Sequence, residues 1–285
     1  YKCSEGKMMR LNKSLYGLKQ AGRVWQDCLT EVLRSLGFKQ CLSDTCLFFH
    51  PEHLCLISIH VDDLLILTDD EEFRSSIMRD LYNRFRMSDL GEVSVYLGMN
   101  VEFPRPGQAR ITQETYINSM VDRFKMTEAK DFATPLPASL DLTKKDCPED
   151  EKVKMIMSDK PYRPLIGSLL YAARGTRPDI AYAVSALSRF NSNPGPKHWV
   201  YGKRILRYLK GTRSHGLEYT NDGEKDIKIE IFSDSDWGSR TDDRKSVTGY
   251  VVCVNGNPIH WSSKTQKSTA LSSCEAEFMA IAEAT

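Results

Sequence analysis

Apolar positions change their spacing several times along the chain, and each change marks an element. Between residues 11 and 40 a glycine-interrupted stretch, SLYGLKQAG, leads into Val24, Trp25, Cys28, Leu29, Val32, Leu33 and Leu36. Their three-four spacing predicts a helix that Gly37 ends. Residues 46–68 form two apolar runs joined at Val61-Asp62-Asp63, the pattern of a buried β-hairpin. An amphipathic helix is expected over 71–87, with Phe73, Ile77, Leu81 and Phe85 on one face. A second hairpin is expected in VYLGMNVEFPRPGQARIT, turning at Pro104 to Gly107, and a short helix in TYINSMVDRFKM.

The pattern fades at 134–161, where Pro135, Pro137, Pro148 and Pro161 bracket a charged, apolar-poor stretch that reads as a linker or exposed loop. Helical spacing returns at about 162–174, 178–191 and 197–210. From Ile227 the alternation becomes strand-like in IKIEIF, SVTGYVVCVNG and NPIHWSS, with Asn255-Gly256 as a hairpin turn and a helix at the end.

At 285 residues, 41% hydrophobic and 27% charged, the chain has apolar material for one large domain or a few ordinary ones. No apolar run approaches the ~20 residues needed to span a bilayer, and no signal-peptide pattern opens the chain, so no membrane partner is expected. The first residue is Tyr1, and CEAEFMAIAEAT reads as a helix cut short, so a piece of a longer polypeptide is expected. Eight cysteines occur without a CxxC pair, which fits neither a zinc site nor a disulfide framework. Reduced, mostly buried thiols in an intracellular protein are expected. Net charge is +1, yet Lys160 to Gly216 holds eleven Lys and Arg against one acid, Asp179. Such a segment suits either a polyanion partner or an ordinary solvated face.

Against that background SIHVDDLLIL stands out, because it sets Asp62 and Asp63 between apolar runs. Adjacent carboxylates there are expected to repel each other and lose hydration. A polar turn between strands accounts for them. So does a shared pair of divalent cations, held roughly 3.5–4 Å apart for phosphoryl transfer, which a rigid hairpin tip positions well.

HVDD between apolar strands resembles the YVDD box of reverse transcriptases. Its surroundings resemble the copia-type retrotransposon Pol polyprotein: LNKSLYGLKQAGRVW upstream, then DLGEVSVYLGMNVE, YRPLIGSLLYAARGTRPDIAYAV and KRILRYLKGT. FSDSDWGSRTDDRKSVTGY and HWSSKTQKSTALSSCEAEFMA resemble the RNase H domain of the same polyprotein. The resemblance covers nearly the whole chain, in order. It implies that Asp62 and Asp63 bind Mg²⁺ or Mn²⁺, that Gln20 lines the nucleotide pocket, and that Tyr96, Leu97, Gly98 and Met99 grip the primer end. In the RNase H part it implies Asp234 and Glu277 as metal-binding carboxylates. Glu275 is accounted for by a capping box on Ser272, and Asp236 either assists Asp234 or is a solvated acid. His60 stands where the family has tyrosine or phenylalanine, next to the primer terminus. Lys203, Arg204, Arg207 and Lys210 form a stripe on a helical face that suits phosphate contacts without sequence readout.

The implied fold is α+β. Residues 1–133 would be a reverse transcriptase palm and primer-grip region, 134–161 a linker, 162–220 a thumb- and connection-like basic helical segment, and 227–285 a mixed α/β RNase H-like domain. The implied partners are RNA template, DNA primer, RNA/DNA hybrid and deoxynucleoside triphosphates, with a second copy or polyprotein neighbours besides. The implied location is cytoplasmic retrotransposon particles or the nucleus. The family's third palm carboxylate and further RNase H aspartates lie outside these 285 residues, so the isolated chain is expected to be nearly inactive in both reactions. Two other classes remain open: a non-catalytic nucleic-acid-binding remnant of a decayed or co-opted element, and a nuclease that has lost its polymerase centre.

Overall fold

The computed structural model describes residues 11–15, 17–138, 140–221, 223 and 226–285. Residues 1–10, Cys3 among them, and Tyr16 of the SLYGLKQ stretch lie outside the described residues. The chain divides into two compact units, Tyr1–Val93 and Ser94–Thr285. The boundary expected after residue 133 therefore falls inside the second unit, for a reason given below.

The first unit is a four-stranded antiparallel sheet with helices packed on it. Its elements are α1 (Ala21–Ser35), β1 (Lys39–Gln40), β2 (Leu47–Phe49), β3 (Cys55–His60), β4 (Asp63–Thr68) and α2 (Glu71–Arg84). Gly37 takes φ +91°, and a Cβ there would lie 2.6 Å from the His50 ring, so only glycine fits this turn. On α1 the core face is Leu29, Val32 and Leu33 with Trp25 and Leu36 beside it. Val24 and Cys28, expected on that face, are exposed, because they lie one residue and so about 100° around the helix from Trp25 and Leu29. On α2 the Asp70 carboxylate caps the Phe73 N–H at 2.8 Å, and Ile77 and Leu81 are buried.

Strand β3 alternates strictly, with Cys55, Ile57 and Ile59 buried and Leu56, Ser58 and His60 turned outward. Ile57 and Ile59 pair with Ile66 and Leu64 of β4. Each buried isoleucine stabilises the unit by roughly 1.5–3 kcal/mol, which makes the hairpin a rigid mount.

The second unit begins with β5 (Val95–Tyr96), β6 (Met99–Glu102), β7 (Gln108–Thr112) and α3 (Glu114–Arg123). A 3-10 turn at Lys144–Asp146 and α4 (Glu151–Ser158) follow, so the stretch expected as a linker is partly helical. Leu142 and Met157 are buried, which ties it to the body of the unit despite its prolines and charges. Three more helices come next, α5 (Tyr162–Gly175), α6 (Ala181–Ser188) and α7 (Pro196–Gly211). With α3 they enclose a core that includes Ile117, Leu165, Ile166, Leu169, Val184, Leu187 and Leu206. Strand β8 (Gly216–Thr220) returns from α7 to pair antiparallel with β7, Thr112 opposite Gly216 and Gln108 opposite Thr220. This pairing joins residues 95–112 to the helical core and explains why the chain divides after Val93 rather than after residue 133.

The last elements are β9 (Ile229–Ser235), β10 (Val247–Val254), β11 (Asn257–Thr265) and α8 (Ser273–Ala284). The three strands form an antiparallel meander. The β10–β11 turn has Asn255 at φ +48° and Gly256 at +76°, the left-handed pair that an Asn-Gly turn favours. Trp261 of β11 donates its indole N–H to the Ala173 carbonyl of α5 at 2.7 Å, anchoring the meander to the helices.

Among the described residues there are three antiparallel sheets and eight α-helices, a mixed α/β protein. The cysteines depart from expectation: Cys55 and Cys253 are buried, whereas Cys28 and Cys274 are exposed and Cys41, Cys46 and Cys147 half-buried. All seven are free thiols. No helix among the described residues is long and apolar enough to cross a membrane.

Candidate functional site

Asp62 and Asp63 sit at the tip of the β3–β4 hairpin, with His60 opposite Asp63 on the last rung and Val61-Asp62 forming the turn. Both aspartates and His60 are exposed. The loss of hydration expected from the flanking apolar runs does not occur, because the strands bury their apolar residues below the tip and leave the carboxylates in water. Val61 takes φ +56°, while Asp62 does not. A positive φ at the first central position of a two-residue hairpin turn favours glycine. A β-branched residue there costs about 1–3 kcal/mol. The indole N–H of Trp25, on α1, donates to the Val61 carbonyl at 2.7 Å, and Phe85 packs edge-on against the Trp25 ring at 5.1 Å. One such bond stabilises by about 0.5–1.5 kcal/mol, enough to offset part of the strain.

No group of three or more His, Cys, Asp or Glu side chains able to hold a metal ion is present among the described residues. Two hydrated carboxylates on one tip nevertheless suit Mg²⁺, which takes one or two carboxylates and completes its shell with water and substrate phosphates. Gln20 occupies the N-cap position of α1 without a side-chain capping bond and is exposed.

Tyr96, Leu97, Gly98 and Met99 form a two-residue hairpin in the second unit, Tyr96 paired with Met99. Leu97 takes φ +50° and Gly98 +71°. Here too a helix residue holds the turn: the Tyr171 hydroxyl, on α5, donates to the Leu97 carbonyl.

Asp234 lies exposed on β9 opposite Gly249 of β10, and α8, which carries half-buried Glu277, packs on both strands. Asp236 is tied into the end of the sheet. It accepts from the Val247 N–H at 3.0 Å while its own N–H donates to the Val247 carbonyl, closing the end of the sheet. Glu275 accepts from the Leu271 N–H at 2.6 Å, and Ser272 accepts from the Glu275 N–H at 3.1 Å. The cap is as expected, except that the glutamate reaches one residue further back.

The basic stripe on α7 is occupied within the chain. Arg204 donates to the Thr134 hydroxyl at 3.0 Å, Arg207 to the Lys130 carbonyl, and Lys210 to the Ala129 carbonyl at 2.9 Å. Both guanidinium groups lie over the Phe132 ring, at 4.1 and 4.3 Å, and Lys203 lies 5.6 Å above Trp199. Arg204, Arg207 and Lys210 therefore clamp residues 129–134 to α7. The stripe's spacing marked a cationic face but not what covers that face.

Three residues with clear roles in these sites were not singled out from sequence. Trp25 read as an ordinary apolar position of α1, and Tyr171 as one of α5. Arg177 lay in the basic segment but is 1% exposed, bridging Asp179 at 2.6 Å and the Thr212 carbonyl at 3.0 Å. The one signal available for Trp25 was its place as the last residue of the LNKSLYGLKQAGRVW motif.

Residues 1–138 match the family model described as reverse transcriptase (RNA-dependent DNA polymerase). The chain is 41% identical over 278 residues to the retrovirus-related Pol polyprotein from transposon TNT 1-94 of Nicotiana tabacum, covering 96% of this chain and 21% of that one. It is 36% identical to the corresponding polyprotein from transposon RE2 of Arabidopsis thaliana, covering 96% of this chain and 18% of the relative. It is 32% identical to the putative transposon Ty5-1 protein of Saccharomyces cerevisiae, covering 94% of this chain and 86% of that protein. The chain thus spans about a fifth of the length of the two plant polyproteins. No solved structure matches.

Proposed function

The chain belongs to the reverse transcriptase family of copia-type transposon Pol polyproteins, and we propose that Asp62 and Asp63 are its metal-binding pair for RNA-directed DNA synthesis. The observation that carries this reading is the hairpin tip, where two adjacent hydrated carboxylates ride on strands fixed by the Ile57 and Ile59 core. Bound there, Mg²⁺ would neutralise charge as a primer 3′-hydroxyl attacks the α-phosphate of a nucleotide. The chain's own share is to hold two carboxylates at a set spacing and direction on a rigid mount. Gln20 is assigned to the nucleotide, and the Tyr96–Met99 turn to the primer end.

The same reading extends to the last four elements as the start of an RNase H domain, with Asp234 on β9 and Glu277 on α8 as metal ligands. It is supported by α8 packing on the strand that carries Asp234. Template, primer and hybrid would be held mainly through their backbones, with little sequence preference.

The test is primer extension on an RNA template by the tobacco polyprotein whose matching segment is replaced by residues 11–285 of this chain. The chimera is expected to extend in Mg²⁺, and D62N or D63N to reduce extension at least 10²-fold at unchanged hybrid binding. Extension that persists in the D62N/D63N chimera overturns the assignment. Hybrid binding without extension in the unmutated chimera favours the non-catalytic remnant. The 285 residues alone bring two carboxylates to the polymerase site, and their Mn²⁺ affinity is expected to be weak, with a Kd near ~10⁻³ M.

A further inference from the structure

We propose that Trp25 is a positioning residue for the polymerase site, fixing the direction of Asp62 relative to Asp63 by holding the Val61 carbonyl. The proposal rests on the metal-binding reading of the two aspartates and adds a third residue to it, from another element.

The turn is built against its own residue type. Val61 at φ +56° occupies a position that glycine fills readily and a β-branched residue resists. Such a conformation persists only where its surroundings impose it. Within a two-residue hairpin the carbonyl of the first central residue has no partner in the ladder. Here it accepts the Trp25 indole N–H at 2.7 Å. That bond fixes the plane of the Val61–Asp62 peptide, hence ψ of Val61 and φ of Asp62. The side-chain direction of Asp62 follows from these angles, and that of Asp63 from the rung it shares with His60.

Trp25 is itself fixed. It stands one turn from buried Leu29 on α1, and Phe85 closes on its ring at 5.1 Å. The turn is thus referenced to the unit's core through an aromatic side chain rather than through hairpin residues alone. The Leu97-Gly98 turn repeats the device independently, with bulky Leu97 at φ +50° and its carbonyl held by Tyr171 of α5. The Asn255-Gly256 turn, to which no site is assigned, uses the favoured residue pair. External aromatic donors therefore accompany the two turns built from unfavoured residues at the assigned sites.

The experiment replaces Trp25 by W25F, which keeps a ring and removes the N–H, and by 3-benzothienylalanine, which keeps the bicyclic shape and replaces N–H by sulfur. Two readouts are taken on the 285-residue chain: amide exchange at Asp63, on the rung next to the turn, against Ile57, and Mn²⁺ binding followed by electron paramagnetic resonance. Both replacements are expected to speed exchange at Asp63 while leaving Ile57 protected. They are also expected to weaken Asp62- and Asp63-dependent Mn²⁺ binding about five- to tenfold, which is about 1–1.4 kcal/mol. V61G in the same background, free to take positive φ without outside support, should restore binding to within about twofold.

Unchanged exchange at Asp63 overturns the clamp. Faster exchange with unchanged Mn²⁺ binding overturns its role in positioning, as does failure of V61G to rescue. Mn²⁺ binding that survives D62N/D63N overturns the metal reading itself and the positioning role with it. The benzothienyl variant decides the matter if W25F loses its fold.

Discussion

Removing Arg177 should be among the most damaging single changes in the second unit, although its motif, TRPDI, lies in the segment read as a nucleic-acid face. Its guanidinium is 1% exposed. It meets Asp179 through two bonds of 3.0 and 2.6 Å and Thr212 through its carbonyl at 3.0 Å and hydroxyl at 2.6 Å. The Tyr208 ring lies 5.4 Å away, and its hydroxyl donates to Asp179 at 2.7 Å. The cluster joins the end of α5 to the end of α7. R177M keeps much of the volume but leaves Asp179 with one side-chain donor and the Thr212 groups without their partner. Breaking a fully buried pair costs about 3–5 kcal/mol, and because the Asp179 side chain is 35% exposed we expect about 2–4. Burial pushes the Asp179 carboxyl up, but bonds from Arg177 and Tyr208 together with the Arg177 charge outweigh this and hold it below the ordinary carboxylate range. Its contribution is therefore present above the ordinary aspartate range and is lost as pH falls through the lowered value. Because the chain has two units, a global melt mixes two transitions, and the suitable probe is fluorescence of Trp199, Trp237 and Trp261, with Trp25 replaced. R177M/D179L should recover part of the loss. A penalty below about 1 kcal/mol for R177M, or additivity with D179L, would refute the reasoning.

Acid should unfold the second unit through His198. Burial lowers its pKa to about 4, with Lys197 and Arg189 acting in the same direction and Asp146 opposing. Its Nδ1 accepts the Gly195 N–H at 2.8 Å, and the ring stacks on Phe190 at 3.9 Å. The unfolded chain binds a proton between pH 6.5 and about 4 that the folded one does not, so stability falls as pH drops through that window, by up to about 3 kcal/mol. Urea titrations from pH 7 to 4.5 should show this slope flattened in H198F, and an equal slope in both proteins would count against it. G216A should separate β8 from β7, since a Cβ there would lie 2.2 Å from the Ile111 carbonyl oxygen. Loss of amide protection across β7, with α1 and β3 unaffected, is the expected readout, and full protection would contradict it.

Much of the fold was legible because local patterns and tertiary packing agree. The α1, α2 and α5–α7 periodicities, the β3–β4 hairpin and the Asn255-Gly256 turn each appear where spacing and turn chemistry put them. What escaped depends on long-range partners. Strand β8 is short, and its pairing with β7 bridges about a hundred intervening residues, so nothing local in GLEYT announces it. Leu142 and α4 lie in a proline-bracketed, charged stretch whose composition reads as linker until the helical core covers it.

The candidate site divides along a similar line. Asp62 and Asp63 were found because a charged pair between apolar runs is an anomaly that one sequence displays. Their exposure was not, because apolar neighbours in sequence are not neighbours in space when side chains alternate across a sheet. The arginines of α7 show the converse. A cationic stripe at helical spacing is visible, but Phe132 and the carbonyls beneath Arg204, Arg207 and Lys210 come from residues 129–134, some seventy to eighty positions away. Trp25 and Tyr171 were hidden for a further reason. Each matches the apolar pattern of its helix, and each acts through a single polar hydrogen that the pattern does not count. The turns they hold break the residue preferences by which turns are recognised, and a broken preference persists only where something outside the turn compensates. A valine or leucine at positive φ with its carbonyl taken by a distant aromatic donor therefore marks a turn whose conformation is imposed from outside it.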